Sequence, residues 1–171
     1  MLLGGITRHF MTHAQIHECF TAEFHAGSKA VVVTSAEIDE QERELSTLLP
    51  QSYRSFLLTY GCLCTPSLLS LIVDKEADLW AIAGFIEPAQ AVTDTRLYWS
   101  GGMDKNLIGF AGDVMGNLFC FRRIAVGAPR PDDAPICFFG HEFCDQDIKL
   151  ADSFDDWLFS YLKLTREDLT R

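Results

Sequence analysis

Basic residues are scarce in this sequence of 171 residues. Lysine and arginine together number 14 against 24 aspartates and glutamates, which leaves a formal net charge of −10 at pH 7. A protein that binds nucleic acid directly needs a basic surface to replace the counterions of the phosphates. The composition therefore argues against direct nucleic-acid binding, and an acidic surface favours a basic protein partner instead.

Long hydrophobic runs are also missing. No stretch approaches the ~20 consecutive apolar residues of a membrane span. The apolar start MLLGGI leads into Arg8 and His9 without the basic leading segment and longer apolar core of a secretory signal. We therefore expect a cytosolic protein without a membrane partner, whose 6 cysteines are small buried hydrophobes rather than a disulfide framework.

The usual signatures of phosphate binding and nucleophilic catalysis are absent as well. The stretch IGFAGDVMGNLFCFRR, 108–123, carries Gly109, Gly112 and Gly116, but no lysine follows the last glycine as a Walker loop requires. The residues after Gly116 alternate with the period of a strand, and no GxSxG sequence occurs. The stretch therefore predicts a turn between two strands, and the chain is not expected to be an enzyme.

Histidines are arranged in two ways that bear on metal binding. His9, His13 and His17 are spaced four apart and would line one edge of a helix, where they could hold a divalent ion. Imidazoles beside an apolar stripe are, however, more often partly buried amphipathic residues. The sequence HEFCD, 141–145, begins like a zinc-protease helix but has Asp145 at the second ligand position.

The cysteines do not follow the spacing of a structural zinc site. Cys62 and Cys64 form a CxC pair, and Cys137, His141 and Cys144 lie close together in the sequence. Structural zinc sites usually need two CxxC-type pairs, which the chain lacks. We therefore expect no metal and no cofactor, and a zinc-dependent enzyme built on these side chains is the least favoured function.

Hydrophobic periodicity predicts alternating groups of helices and strands. Helices are predicted over 12–24, 34–49, 51–61, 88–99 and 152–164. Strands are predicted over 68–73, 79–85, 107–111, 117–124 and 135–140. Helices first, then strands, then a closing helix is typical of an α+β fold. Without repeats or linkers, residues 1–171 are expected to form a single domain.

Several of these segments together resemble one known superfamily. LLPQSYRSFLLTYG, 48–61, resembles the start of a SUKH domain, in which Leu-Pro is followed by an aromatic helix ending in glycine. LIGFAGDVMGNLFCFRR, PICFFGHEF and IKLADSFDDWLFSYL resemble the strand-turn-strand, the next strand and the closing helix, in the same order. The resemblance covers about 34–162. The superfamily includes fungal Smi/Knr cell-wall-synthesis regulators and many bacterial toxin-immunity proteins.

The resemblance implies a fold and a set of structural positions. It implies a central mixed or antiparallel β-sheet braced by N-terminal helices and a C-terminal helix, with the helix at about 12–25 in the same domain. The matching positions would pack or turn the chain: Leu49, Pro50, Tyr53, Phe56, Gly61, Gly116 and Trp157. No catalytic residues follow from the resemblance, because the superfamily is known for binding.

The function expected on this basis is that of an immunity protein which neutralises a toxin by binding it. Many such toxins are nucleases, which must be basic, so an acidic inhibitor would be steered to them. The expected contact residues lie on loops after predicted strands: Asp132, Asp133, Glu142, Asp145 and Asp147. Asp155 and Asp156 are expected to serve the first turn of the last helix. The alternative is a regulatory or scaffold protein of the Smi/Knr type.

Overall fold

The computed structural model describes residues 11–25, 27, 30–142 and 145–166, with the side chains of 145–147 excepted. Its helices are α1 (His13–Phe24), α2 (Ser35–Leu45), α3 (Gln51–Tyr60), α4 (Leu69–Asp74), α5 (Pro88–Ser100) and α6 (Phe154–Thr165). Its strands are β1 (Gly84–Phe85), β2 (Leu107–Gly112), β3 (Leu118–Arg122), β4 (Ile136–Gly140) and β5 (Asp145–Ala151). Within these residues, no helix has the length and apolar character needed to cross a membrane.

The strands form one sheet in the order of the sequence. All neighbouring pairs from β1 to β5 are antiparallel, so the sheet is a meander of 5 strands. The predicted α+β class is confirmed, and the sheet is antiparallel rather than mixed. The glycine-containing stretch at 108–123 is the hairpin of β2 and β3, as predicted. Gly116 in its turn has a φ of 89°, a conformation that glycine adopts without steric cost.

Both faces of the sheet are buried, because successive side chains of a strand point to opposite sides. Phe119 and Phe121 of β3 face the main core, which the apolar sides of α1, α3 and α6 complete. Leu118 and Cys120 point the other way into a smaller cluster with Met103, against which α5 packs. The alternating side chains after Gly116 in the sequence are therefore divided between two hydrophobic clusters, one on each face of the sheet.

The positions singled out by the resemblance are structural. Tyr53 of α3 is fully buried, with its ring centroid 5.1 Å from those of both Phe110 and Phe121. Trp157 of α6 packs its ring 5.0 Å from that of Phe119. Gly61 ends α3 with a φ of 74°, and a Cβ there would lie 2.2 Å from the Val31 carbonyl oxygen. Larger residues are therefore excluded at Gly61.

One predicted strand is wrong and another is much shorter than predicted. Residues 68–73 lie largely in α4, where Leu68 and Ile72 are buried four positions apart, which is helical spacing. A short, largely apolar run such as LLSLIV does not distinguish helix from strand. The strand predicted over 79–85 is reduced to Gly84–Phe85.

The strand β5 was not predicted. Its sequence DQDIKLA is mostly polar and has little of the β-branched and aromatic enrichment that indicates a strand. β5 lies at the edge of the sheet, where it pairs with β4, and edge strands commonly carry charge.

The helix predicted over 34–49 ends earlier than predicted, because Ser46 adopts a left-handed conformation with a φ of 50°.

The first helix begins with a capping box. The Thr12 hydroxyl accepts a hydrogen bond from the Gln15 N–H, and the Gln15 side chain accepts one from the Thr12 N–H. Ile16 and Phe20 are fully buried in the main core, where the Phe20 ring lies 6.2 Å from that of Tyr161 of α6. The helix α1 therefore contributes to the main core.

A buried carboxylate joins α2 to α3 and to the segment before β4. Glu42 accepts hydrogen bonds from the Leu49 N–H at 2.7 Å and from both terminal nitrogens of Arg130. Arg54 Nη1 lies 3.1 Å from the same carboxylate. Burial alone would raise the pKa of Glu42, but the Arg130 and Leu49 hydrogen bonds and the charges of both arginines together lower it.

Candidate functional site

The acidic residues expected to contact a partner are separated into two groups by β4. Asp132 and Asp133 precede this strand, whereas Glu142 follows it and Asp145 pairs with Gly140 at its far end. Strands rise about 3.3 Å per residue, so β4 places roughly 13 Å or more between the groups. The predicted residues thus do not form one continuous cluster.

The two aspartates before β4 have different surroundings. Asp133 is half-buried, and its carboxylate accepts hydrogen bonds from the N–H groups of Phe154 at 2.8 Å and Asp155 at 3.2 Å. It also accepts the Ala134 N–H at 2.7 Å. Asp133 therefore caps the N-terminus of α6, a structural task that its sequence did not indicate. Asp132 is exposed.

Glu142, which follows β4, borders an apolar groove, whereas Asp145 and Asp147 lie in β5 rather than on the expected loop. Glu142 is exposed beside this groove, whereas the side chains of Asp145 and Asp147 lie outside the described residues. We call it the Trp80 groove, because Trp80 lines both of its hollows, which measure about 440 and 230 Å³. Its walls are residues 65–69, residues 80–83, the β2–β3 turn at 113–117, residues 140–142 and Ile148.

Large apolar side chains in and around the groove remain exposed to solvent. Trp80 is 43% exposed, and Val114 and Met115 at the hairpin tip are 85% and 61% exposed. The Trp80 indole stacks on the Phe138 ring, with the ring centroids 4.2 Å apart. The backbone carbonyl of Trp80 accepts a hydrogen bond from the Tyr161 hydroxyl at 2.7 Å. Trp80 is thus fixed in place with part of its ring uncovered. Contiguous exposed apolar surface of this kind is often functional.

Hydrogen bonds hold the rim of the groove in one shape. Asp113 accepts the N–H groups of Met115 and Asn117, each at 2.8 Å, which fixes the β2–β3 turn. The Asn117 side-chain oxygen then accepts the His141 N–H at 3.1 Å. Because His141 begins the β4–β5 connection, the two hairpin ends are joined, and Met115 is presented on a defined turn.

The surroundings of the groove are acidic. Glu142 lies at one end of it, and the segment that leads into Trp80 carries exposed Asp74, Glu76 and Asp78 against the single base Lys75. An apolar centre with charged residues around it is the usual composition of a protein–protein interface. The arrangement can therefore bind a partner with an apolar centre and basic surroundings.

The described cysteines do not assemble a reactive or metal-binding group. Cys62, Cys120 and Cys137 are buried, as expected for small hydrophobes, while Cys64 is exposed, so the CxC pair is divided between interior and surface. Burial raises the pKa of Cys62 to about 12, which keeps the thiol protonated. Cys144 lies outside the described residues.

One group of metal-type ligands does come together among the described residues. Ligand atoms of His13, Asp133 and Asp155 lie within 4.8 Å of one another. Asp155 lies in the first turn of α6, as expected, but its carboxylate is fully buried against α1. His17 Nε2 lies 3.0 Å from its Oδ1, and His13 Nδ1 contacts its Oδ2. The predicted helical edge of histidines thus faces one acid; His9 lies outside the described residues.

The groove residues were missed by sequence analysis, although one signal was available. Turn residues are usually polar or glycine, yet the turn DVMGN holds Val114 and Met115 side by side. Exposed apolar residues in a turn indicate a contact surface rather than a core. Trp80 gave no such signal, because it falls within the strand predicted over 79–85.

Comparison with known proteins agrees with the fold. The sequence profile of the SMI1/KNR4 family (SUKH-1) matches residues 32–160, a range that begins after α1 and ends within α6. A search of curated proteins finds no significant match. The family is not known for enzymatic activity. Because the profile covers most of the chain, this protein belongs to the SMI1/KNR4 family (SUKH-1).

Proposed function

We propose that the protein is a cytosolic immunity protein that neutralises a basic toxin domain by binding it at the Trp80 groove. The observation that carries this proposal is a fixed, partly exposed tryptophan in an apolar groove with carboxylates beside it. The family membership supports a binding role, since the superfamily includes many toxin-immunity proteins.

The apolar part of the groove supplies the affinity. Binding energy in protein interfaces is concentrated in a few buried anchors, among which tryptophan is enriched. Trp80 and Met115 suit this role, because both line the two hollows and are exposed in the free protein. Little rearrangement would precede binding, since Trp80 is already stacked on Phe138.

The acidic residues beside the groove increase the association rate and the selectivity for a basic partner. A nuclease toxin must be basic to hold its substrate, and opposite charge steers association at rates up to ~10⁸–10⁹ M⁻¹s⁻¹ at low salt. Glu142 and its neighbours Asp145 and Asp147 are the proposed contact acids. Asp132, at the other end of β4, contributes to the long-range electrostatic attraction of the partner. Asp133 contributes indirectly, because it caps α6 and so stabilises the fold.

The test looks for a secreted protein encoded directly upstream of this one and uses its C-terminal domain, purified and immobilised for kinetic measurement. Trp80→Ala should speed dissociation by roughly 30-fold or more, the loss typical of a central anchor. Glu142→Gln combined with Asp147→Asn should slow association and weaken its dependence on salt. Leu97→Ala on α5, another exposed apolar side chain, is the matched control and should change neither rate.

Protection of living cells gives a second readout. Cells that express the toxin should survive with the wild-type protein and with Leu97→Ala, and should die with Trp80→Ala combined with Met115→Ala. Full protection by that double variant, together with unchanged kinetics, would overturn the proposal.

The family match also favours a second function, that of a regulatory scaffold of the Smi/Knr type. Such a module would bind ordinary cellular proteins, and its affinity would depend less on salt. Deletion of the gene separates the two: loss of an immunity protein is lethal only where the toxin gene is present.

A further inference from the structure

We propose that His13, Asp133 and Asp155 bind one divalent transition-metal ion, for which zinc is the probe, where α1 meets the start of α6. This site is separate from the Trp80 groove and departs from the sequence-based expectation of no metal. It would join α1, which lies outside the matched range 32–160, to the core of the family fold.

The geometry of the ligand atoms suits a single ion. One atom from each of the three residues lies within 4.8 Å of the other two. Zinc bonds to nitrogen and oxygen are ~2.0–2.2 Å long, so two ligands of one tetrahedral ion lie roughly 3.3–3.6 Å apart. His13 Nδ1 contacts Asp155 Oδ2 directly, and because His13 is 55% exposed, its ring can turn aside so that an ion enters between the two atoms.

The two carboxylates of the site favour a bound cation. The Asp155 carboxylate is fully buried, and the half-buried Asp133 carboxylate lies close to it. Two carboxylates at this distance repel each other unless a positive charge is shared between them. The α1 side chains that face Asp155 are the imidazoles of His13 and His17.

The supporting contacts orient the ligands as in known metal sites. His17 Nε2, 3.0 Å from Asp155 Oδ1, holds that carboxylate so that Oδ2 faces His13. Asp133 is fixed by the N–H groups of Phe154 and Asp155, and each carboxylate oxygen can accept more than one partner. Neither carboxylate needs to move far to reach the ion.

The neighbouring hollow gives the ion a route from solvent. A cavity of about 480 Å³ between α1 and α3 is lined by His13, His17, Ser52 and Asp132, among others. Three protein ligands leave a fourth position for a water molecule from this cavity. An imidazole with two carboxylates suits zinc and similar ions, whereas Mg²⁺ and Ca²⁺ prefer oxygen ligands throughout.

The first experiment measures zinc binding by tag-free protein that has been stripped of metal. Calorimetric titration of the wild type should show about one equivalent of zinc bound with micromolar or tighter affinity, and no such uptake of Mg²⁺. His13→Ala should weaken zinc binding by at least tenfold. His25→Ala, which removes an imidazole just beyond the other end of α1, should leave zinc binding unchanged.

The second experiment places the ion in the fold. Zinc should slow amide hydrogen exchange in α1 of the wild type and of His25→Ala, but not in His13→Ala. Wild-type protein that takes up no zinc would show that His13 and Asp155 form an ion pair only, and the proposal would be wrong. Unchanged zinc affinity in His13→Ala would assign the ion to other residues and would overturn it equally.

Discussion

At the scale of single residues, the acidic side chains differ in what their carboxylates contact. Glu42 is bound by Arg130 and a backbone N–H, and Asp133 accepts the first N–H groups of α6. Glu142 and Asp132 are instead exposed. A net charge of −10 therefore includes carboxylates that stabilise the fold as well as those that a partner can reach.

The adjacent aspartates before β4 allow a direct comparison. Asp133→Ala should lower the free energy of unfolding by about 2 kcal/mol, because it removes charge-assisted hydrogen bonds to N–H groups at the start of α6. Asp132→Ala should change it by less than about 0.5 kcal/mol, as is usual for exposed positions. Urea denaturation in the presence of a chelator measures both without any contribution from metal.

Glu42 should make the stability depend on pH. Its pKa is lower in the folded protein than the ordinary value of 4.5, so its contribution is complete above that value and is lost as the pH falls through the folded pKa. Glu42→Gln should lower the free energy of unfolding at pH 7 by roughly 2–3 kcal/mol, because Arg130 loses its carboxylate partner and Arg54 keeps only Asp39.

The measurement for Glu42 is a series of urea denaturations between pH 7 and pH 3. The difference between wild type and Glu42→Gln should shrink as the pH falls below about 4.5. Glu40→Gln is the matched control on the same helix, because Glu40 is exposed and pairs with exposed Arg43. A constant difference across the series would contradict the assignment.

At the scale of elements, α1 is the helix whose attachment matters most, since it lies outside the range matched by the family. Its Phe20 is fully buried and contacts rings of α3 and α6. The helix should therefore unfold together with the core rather than before it.

Phe20→Ala tests this cooperativity. The change should lower the free energy of unfolding by about 3–4 kcal/mol, the usual loss for a large buried ring. Glu23→Ala, at an exposed position of α1, should have little effect. Tryptophan fluorescence and far-ultraviolet circular dichroism should give the same transition in both variants; two separate transitions would show that α1 folds on its own.

Most elements could be predicted from local patterns, and the failures have physical reasons. The capping boxes at Thr12 and Thr34 and the aromatic spacing of α3 and α6 are signals within the element itself. β5 could not be predicted, because its pairing with β4 depends on tertiary position rather than on its polar sequence. Residues 68–73 carry apolar side chains that suit either structure.

The candidate site was less predictable than the fold. Sequence spacing indicated that His13 and His17 share a helical edge, but their common partner Asp155 is distant in the chain. The acidic tract was recognised, yet only the fold shows that β4 divides it and that Asp133 caps α6. Proximity between remote segments is information that one sequence does not carry locally.

At the scale of the whole molecule, charge and exposed apolar surface have opposite effects on self-association. The net charge of −10 at pH 7 keeps copies apart, while the Trp80 groove offers an apolar contact. Near the isoelectric point, about 4.8, the repulsion disappears.

Light scattering at several pH values should reveal this balance. The wild type should stay dispersed at pH 7.5 and associate near pH 4.8, where its charges cancel. Trp80→Ala combined with Met115→Ala should associate less at pH 4.8, whereas Leu97→Ala should behave as the wild type. Equal association of all three proteins would show that the groove takes no part.

The two edges of the sheet limit how any partner can attach. β1 extends over only Gly84–Phe85 and is already hydrogen-bonded to residues 63–65, and β5 includes Asp145, Asp147 and Lys149 in its sequence. A peptide that joined such an edge as an additional strand would find few backbone groups on one side and a strand of largely polar sequence on the other, and short or charged edge strands discourage such pairing. Recognition is thereby left to side chains, so the binding specificity can be changed by substitution without altering how the sheet is built.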